Sequence, residues 1–374
     1  MKGGPEVIGQ FSAEWAELCD EGASSSPFLR PEWFAPFTKN FDKKIELIRI
    51  GEGERLRALL PVEKKWGPLH GVPARKLSAV FNLNTQRFDL VHGAAEGERR
   101  QITEAVWDAM QSRSGWDVVE FRLVRADSWL ADVVRLAERE GWSAGVWQMD
   151  GAPYITLPKS EDATSALAEF FSSSRKHLRQ ELDRRLRRLS ELGSVEFVVT
   201  QGCSRELLTT YFDLEARGWK GRRGTAVTDD ARVARLHEEF ATQMAVKNAL
   251  FVYELKLDNT TIAMSLNIRD GRQMIHWKTS FDEEHARFAP GNLLFRKLLA
   301  DSIEQGLDEI DFLAPSTANK RVWATGEREY VAFYIFRRGL IGSLLWAWKF
   351  GVVAALRSWK NRGHLPLTAT EVHK

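Results

Sequence analysis

The chemistry available to this chain lies in a few polar side chains set among apolar ones. Along "EIDFL" (309–313), alternation turns Ile310 and Phe312 to one side of a strand and Asp311 to the other. A carboxylate in a partly dry cleft holds its proton more tightly and can act as a base near neutrality. The other reading of Asp311 is a structural carboxylate that pairs Lys320 or caps a loop. His276 lies in a strand pattern beside Trp277 and Lys278, where it either packs or meets a substrate. "EARGWKGRRG" (215–224) places Glu215, Trp219 and Lys220 at the entry to a glycine-containing loop able to fold over a ligand. A tryptophan face with a cationic tip suits a sugar or acyl acceptor; otherwise Trp219 fills a core between domains. The densest positive run, "SSSRKHLRQELDRRLRRLSELG" (172–193), opens with Arg175, Lys176 and Arg179. No Walker loop, Rossmann fingerprint, zinc-protease motif or nucleophile elbow occurs, and no Cys and His stand at metal-ligand spacing, so no metal is expected.

The elements that would carry these residues are legible from periodicity. The first half alternates strand patterns at 45–50, 54–66, 87–93 and 116–124 with helical patterns near 97–113 and up to Glu140. Pro, Gly and Ser cluster in "QMDGAPYITLPKSEDATS" (148–165), which marks a boundary. The basic run is a helix with Leu178, Leu182, Leu186, Leu189 and Leu192 along one buried stripe, and Glu181 placed to pair with Arg184 or Arg185. A strand at 194–200 and a helix at 204–218 follow. The next helix starts at "TDDARV", where Thr228 can cap and Asp229 and Asp230 face its positive end. Three strands in series (249–257, 261–271, 273–281), a helix from Gly291 to Gln305, a strand at 308–313 and a last strand at 329–338 complete the order.

The chain has 374 residues, about two domains' worth, with 44% apolar and 28% charged residues and a formal charge of +2. Basic surface is therefore local, which argues against a protein built around nucleic acid. Cys19 and Cys203 are far apart, which excludes a disulfide framework and fits a reducing compartment. The N-terminus lacks an apolar signal run, so a cytoplasmic location is expected, and the sequon Asn259-Thr260-Thr261 reads as a hairpin turn. "GLIGSLLWAWKFGVVAALRSWKNR" (339–362) is apolar except for Lys349 over about 17 positions, short of the ~20 that a spanning helix needs. With Arg337 and Arg338 before it and Arg357, Lys360 and Arg362 after it, this amphipathic segment either packs on the protein or lies at the inner face of a membrane.

The order β-α-α-β-β-β-α-β resembles the plan of the GCN5-related N-acetyltransferases. More narrowly, "SRKHLRQELDRRLRRLSELG", "DLEARGWKGRRGTAV", "SFDEEHARFAPGNLLFRKLL" and "EIDFLAPSTANKRVWATG" resemble the CelD-like acyltransferases of cellulose and exopolysaccharide biosynthesis. That branch is related to the FemAB peptidoglycan aminoacyltransferases. The resemblance implies an α/β (α+β) protein of two tandem acetyltransferase-like units, each a mixed sheet flanked by helices, with a C-terminal amphipathic helix. The expected division is 1–155, 156–340 as the catalytic unit, and 341–374. It implies acetyl-CoA or another acyl-CoA as donor and an amino sugar or sugar nucleotide as acceptor, with no nucleic acid partner.

Carried onto this sequence, the resemblance makes Asp311, Lys320 and Glu215 the catalytic set. Arg287, Gly291 and Asn292, at a helix start whose free N–H groups favour anions, would hold the cofactor pyrophosphate. Arg175, Lys176, Arg179, Trp219, Lys220, Trp323 and His276 would contact the acceptor. Ala314-Pro315 and Asn319-Lys320 depart from the Gly and Tyr-Lys of the family pattern, which leaves the acceptor open. Two alternatives stand beside this reading: an aminoacyl-tRNA-dependent ligase on the same fold, and a non-enzymatic protein whose basic helix binds nucleic acid or a membrane.

Overall fold

The computed structural model of the chain describes residues 2–3, 5–22, 26–52, 55–80, 84–159, 162–172 and 175–356. Ser173 and Ser174 of the basic run, and 357–374 with the cations Arg357, Lys360 and Arg362, lie outside the described residues.

The chain opens with β1 (Lys2–Gly3), α1 (Pro5–Glu21) and α2 (Pro31–Asn40), then a meander of β2 (Ile45–Glu52), β3 (Arg55–Leu69) and β4 (Val72–Ala79). β5 (Val91–His92), α3 (Arg99–Gln111), β6 (Val118–Arg125), α4 (Trp129–Arg139) and β7 (Ser143–Gln148) follow. Next come β8 (Ala152–Thr156), α5 (Ala163–Phe170), α6 (Lys176–Ser190), β9 (Val195–Gln201), α7 (Arg205–Arg217), α8 (Trp219–Arg222) and α9 (Ala231–Val246). The second meander is β10 (Leu250–Leu257), β11 (Thr260–Asp270) and β12 (Gln273–Phe281). After it come α10 (Pro290–Glu304), β13 (Glu309–Asp311), α11 (Ala318–Trp323), β14 (Gly326–Arg328), β15 (Tyr330–Phe336) and α12 (Leu340–Trp346), which runs on as a π-helical turn over Ala347–Val352.

Local chemistry explains several starts. The Ser204 hydroxyl accepts from Leu207 N at the head of α7, and Ser128 does the same for Ala131 N in α4. In α9 the cap is Asp230, which accepts from Arg232 N. Thr228, expected as the cap, lies in a short 3₁₀ turn just before it. The expected strand 87–93 shrinks to Val91–His92, because Arg87 and Asp89 are drawn into buried polar contacts.

The strands form two mixed sheets flanked by helices, as expected. One runs β1-β2-β3-β4-β6-β15-β7, with β5 also on β3, and the other runs β14-β8-β13-β12-β11-β10-β9. Both repeat one plan: an antiparallel meander, a crossover helix, then a strand parallel to the meander's last strand, β4 with β6 and β12 with β13. They also exchange strands. β8 crosses the boundary expected at 155/156 and pairs with β13 and β14. β15, inside the expected second unit, pairs with β6 and β7 of the first sheet.

Helices α3 and α4 cover one face of the first sheet, with Trp107, Leu130 and Phe333 in that core. Helices α5, α6 and α10 cover one face of the second, with Leu182, Leu189 and Leu298. The opposite face of the second sheet is closed by α7, α9 and the N-terminal α1 and α2, where Trp33 meets Phe240 edge-on at 5.0 Å. On α6, Leu192 falls past the helix end and is exposed, whereas Leu182 and Leu189 are buried.

A buried ion pair ties the two sheets together. Arg87, from the segment before β5, donates from Nη2 to Asp311 Oδ2 at 2.5 Å and from Nε to the Tyr330 hydroxyl at 2.8 Å. Asp311 is fully buried. Burial works against the Arg87 charge, but Tyr330 and Asp311 outweigh it and raise its pKa further. Removing one partner of such a pair strands the other charge, so Asp311→Ala should cost about 3–5 kcal/mol, and the Arg87→Met/Asp311→Leu double variant should recover most of it. Equilibrium denaturation reads this out; a double variant as unstable as the sum of the singles would remove the pair from the account.

Candidate active site

A pocket of about 500 Å³ opens between β12, the start of α10 and α11. Its lining includes Trp219, His276, Gly291, Asn292, Lys320 and Trp323 of the expected set, together with Thr279, Phe295 and Phe312. The aromatic part is closely packed: Phe295 lies 4.7 Å from Trp323 and 5.1 Å from the His276 ring, centroid to centroid. Helix α10 begins at the pocket without a side-chain cap. Pro290 has no N–H and Asn292 N bonds the Ala289 carbonyl at 2.9 Å, so the Gly291 N–H and the helix dipole make the pocket's anion-favouring end. A Cβ placed on Gly291 would meet only Phe281 and Thr279, at 3.6 and 3.7 Å. The protein's own packing thus tolerates a side chain there, and glycine keeps that volume open.

His276 is held by a chain of three polar groups. Asn267, fully buried in β11, donates from Nδ2 to the Ser265 hydroxyl at 3.0 Å, which turns its Oδ1 toward the ring. Oδ1 lies 2.7 Å from His276 Nδ1, so Nδ1 carries the proton and donates. Nε2 is left with its lone pair and accepts from the Thr279 hydroxyl at 2.7 Å. Burial, and next the Lys320 charge, push the His276 pKa down to about 3. The imidazole is therefore neutral at any pH near 7, with a hydroxyl on its acceptor nitrogen.

Residues three apart on a flat strand face opposite sides. His276 and Thr279 share a side because β12 bulges: Asn267 pairs with His276 and Leu266 with Lys278, so Trp277 is extra. Trp277 and Lys278 then both face the α7–α9 side. Trp277 stacks on His237 there at 5.4 Å. Lys278 lies close enough to Glu215 and Lys220 to feel their charges, yet burial dominates and lowers its pKa to about 8.

Lys320 also lines the pocket. Its Nζ donates to the Leu313 and Pro315 carbonyls at 3.0 Å each, and burial, only partly opposed by Asp311, lowers its pKa to about 8. Trp219 stands at the pocket mouth, 46% exposed, with the Arg223 guanidinium 5.2 Å from its ring, so it does not fill a core. Its backbone N–H donates to Glu283 at 2.5 Å, which sets the angle of the loop.

Several expected site residues lie elsewhere. Asp311 is on the side of β13 away from the pocket; Phe312 is the neighbour that faces it, and both Asp311 oxygens are taken, by Arg87 and by Leu313 N. Glu215 is 1% exposed and organises the loop instead: it accepts from Tyr211, from Lys220 Nζ at 2.5 Å and from Val227 N. Lys220 is thereby committed to Glu215. Arg287 is exposed, lies over the Phe288 ring at 4.7 Å and is outside the pocket lining. Arg175 donates to the Ala324 carbonyl and covers Phe170, while Lys176 and Arg179 are exposed on α6, away from the pocket.

Sequence reasoning missed Thr279, Asn267 and Arg87. Asn267 had left a signal, since a lone amide within "IAMSLNI" is a buried polar group that requires a partner. Among the described residues no group of three or more His, Cys, Asp or Glu could hold a metal ion.

Residues 176–321 match a family model described as an acetyltransferase (GNAT) domain. Among solved structures, the C-terminal domain of a lysylphosphatidylglycerol synthetase from Agrobacterium fabrum is similar at 12% identity and TM-score 0.55, over 98% of this chain and 100% of that one. FemX is similar at 13% identity and TM-score 0.56, over 86% and 95%. L-PGS from Bacillus licheniformis is similar at 14% identity and TM-score 0.52, over 90% and 95%. These likenesses concern the fold. No curated protein matches the sequence.

A histidine buried neutral makes stability depend on pH. The folded pKa of about 3 lies below the unfolded 6.5. The unfolded chain therefore takes up the proton first, and the contribution is complete above pH 6.5 and lost as pH falls toward 3. His276→Gln should narrow the stability difference between pH 7 and pH 5 by roughly 2 kcal/mol. Denaturation at both pH values checks this, and an unchanged difference would show that His276 titrates normally.

Proposed function

We propose that this pocket transfers an acyl group from an acyl-CoA to an amine or hydroxyl acceptor, with His276 and Thr279 moving the acceptor's proton. The observation that supports it most is the sharing of one pocket by the uncapped start of α10, a neutral histidine with a hydroxyl on its acceptor nitrogen, and Lys320. The match of 176–321 to an acetyltransferase domain supports acyl-CoA as the donor class.

In this reading the Gly291 N–H and the Asn292 side-chain amide, at the positive end of α10, face the donor's pyrophosphate, and the thioester carbonyl lies toward β12. The acceptor's N–H or O–H proton passes to the Thr279 oxygen while that hydroxyl hands its own proton to His276 Nε2, as the new C–N or C–O bond forms; burial and the Lys320 charge disfavour a lasting imidazolium and drive that proton onward. The C–S bond breaks, and the proton goes to the departing thiolate, so acylated acceptor and free CoA are the products. Lys320, with its lowered pKa, stands at the same pocket to place or stabilise developing negative charge. The acceptor we favour is an amino sugar or sugar nucleotide of a surface polysaccharide. Exposed Trp219, flanked by Arg223, offers a flat face and a cation at the mouth; the polysaccharide context rests on the sequence resemblance alone.

An aminoacyl ester is the second reading of the donor. It presents the same carbonyl chemistry, and the likeness in fold to proteins named lysylphosphatidylglycerol synthetase and FemX favours it.

Free-thiol release from acetyl-CoA, screened by mass spectrometry across amino sugars and sugar nucleotides, tests the proposal. His276→Ala should lower kcat by about 10²–10⁴ with KM for the donor changed little, and Thr279→Val by a smaller factor. Turnover unchanged in His276→Ala removes the histidine from the mechanism. Absence of acetyl-CoA binding by calorimetry, with transfer from aminoacyl-tRNA instead, decides for the second reading.

A further inference from the structure

The C-terminal helix is apolar on both faces, unlike an ordinary surface helix. Between Gly339 and Leu356 the only charged residue is Lys349. That lysine is turned inward and is 1% exposed, its Nζ donating to His70 Nε2 at 2.5 Å and lying 3.8 Å over the Trp147 ring. Leu345 and Phe350 pack inward as well, yet an apolar ridge is left outward: Leu340, Ile341 and Leu344 are 77%, 60% and 61% exposed, and Val352 and Leu356 continue it. A surface helix ordinarily turns polar residues to that outer side. The helix is firmly seated, since Phe350 packs so closely on Gly145 that a Cβ there would come within 2.4 Å of its ring.

Beside the helix, on the same outer face of the first sheet, lies a hollow of about 440 Å³. Lys65, Lys76, Arg122 and Lys349 line it beside His70, whose pKa burial and the Lys349 charge lower; Glu120 pairs with Lys76 and Glu63 with Lys65, so four cations face two carboxylates. An apolar ridge thus borders a basic hollow, and both look outward from one face. No helix among the described residues is long and apolar enough to cross a membrane.

We infer that this face docks on an anionic phospholipid surface. The ridge enters the boundary between headgroups and acyl chains, and the hollow draws in a lipid phosphate. A neutral apolar partner would explain the ridge but not the excess of cations next to it, and a free anion would explain the hollow but not the ridge. The inference goes beyond acyl transfer and is independent of His276.

Co-sedimentation of the full chain with vesicles tests it, using phosphatidylcholine alone and phosphatidylcholine with about a third phosphatidylglycerol. The bound fraction should be about tenfold higher on the anionic vesicles and fall in high salt. Ile341→Glu/Leu344→Glu alters exposed positions only; it should abolish binding without lowering the melting temperature, and Arg122→Glu should erase the preference for anionic lipid. Wild-type protein that ignores anionic vesicles, or a double-Glu variant that binds as well as wild type, overturns the inference. So does a wild-type dimer that the double-Glu variant converts to monomer without any vesicle binding, since the ridge would then belong to a second copy.

Discussion

Opposite Asn267 and Leu266 of β11, strand β12 fits His276, Trp277 and Lys278, one residue more than regular pairing allows. That surplus residue decides what each face of the sheet can do. With it, His276 and Thr279 stand together over the pocket, and Trp277 and Lys278 go to the packed side against α9 and the Glu215 loop. Without it, Thr279 would point away from the imidazole, whose acceptor nitrogen would face an apolar wall of Phe295 and Phe312. The buried Asn267–Ser265 contact fixes the amide, the amide fixes the tautomer, and the tautomer directs the lone pair. Each step depends on the bulge holding its register.

A second constraint acts on a larger scale. The two sheets share an exchanged strand each way, and the Arg87–Asp311–Tyr330 cluster sits where those exchanges cross. Neither sheet is complete from one contiguous stretch of chain. The pocket walls from β12 and α11 and the neighbouring Gln86 are thereby held in one frame. A rigid frame is what proton transfer needs, since small displacements of positioned groups cost much in rate.

The element order of the second half, its meander and the helix start near Gly291 were legible in the sequence because period-2 and period-3.6 patterns there are long and uninterrupted; the helices Pro5–Glu21 and Pro31–Asn40 and the strands Val72–Ala79, Ser143–Gln148 and Ala152–Thr156 were not read. Alternation also assigned Asp311 correctly to the side opposite Ile310 and Phe312. It could not say which side held the pocket, and the pocket lies with Phe312. His276 was visible as a strand residue, but its partner Thr279 was not, because alternation places residues three apart on opposite faces and no local signal announces a bulge. Glu215 and Lys220 were read as separate site groups, and no local signal showed that they satisfy each other and the loop backbone. In the basic helix the charges mostly pair along their own helix, as Glu181 does with Arg185, or reach α10, as Asp183 does with Arg296.

The claim on which the account turns is that the bulge holds His276 neutral, with its proton on Nδ1 and its lone pair on Nε2. Two-bond ¹H–¹⁵N correlation spectra of ¹⁵N-histidine-labelled protein, recorded from pH 5 to pH 8, test it directly. His276 should show a pattern with protonated Nδ1 and bare Nε2 that does not shift across the range. A His276 signal that titrates near 6.5, or that carries its proton on Nε2, would contradict it.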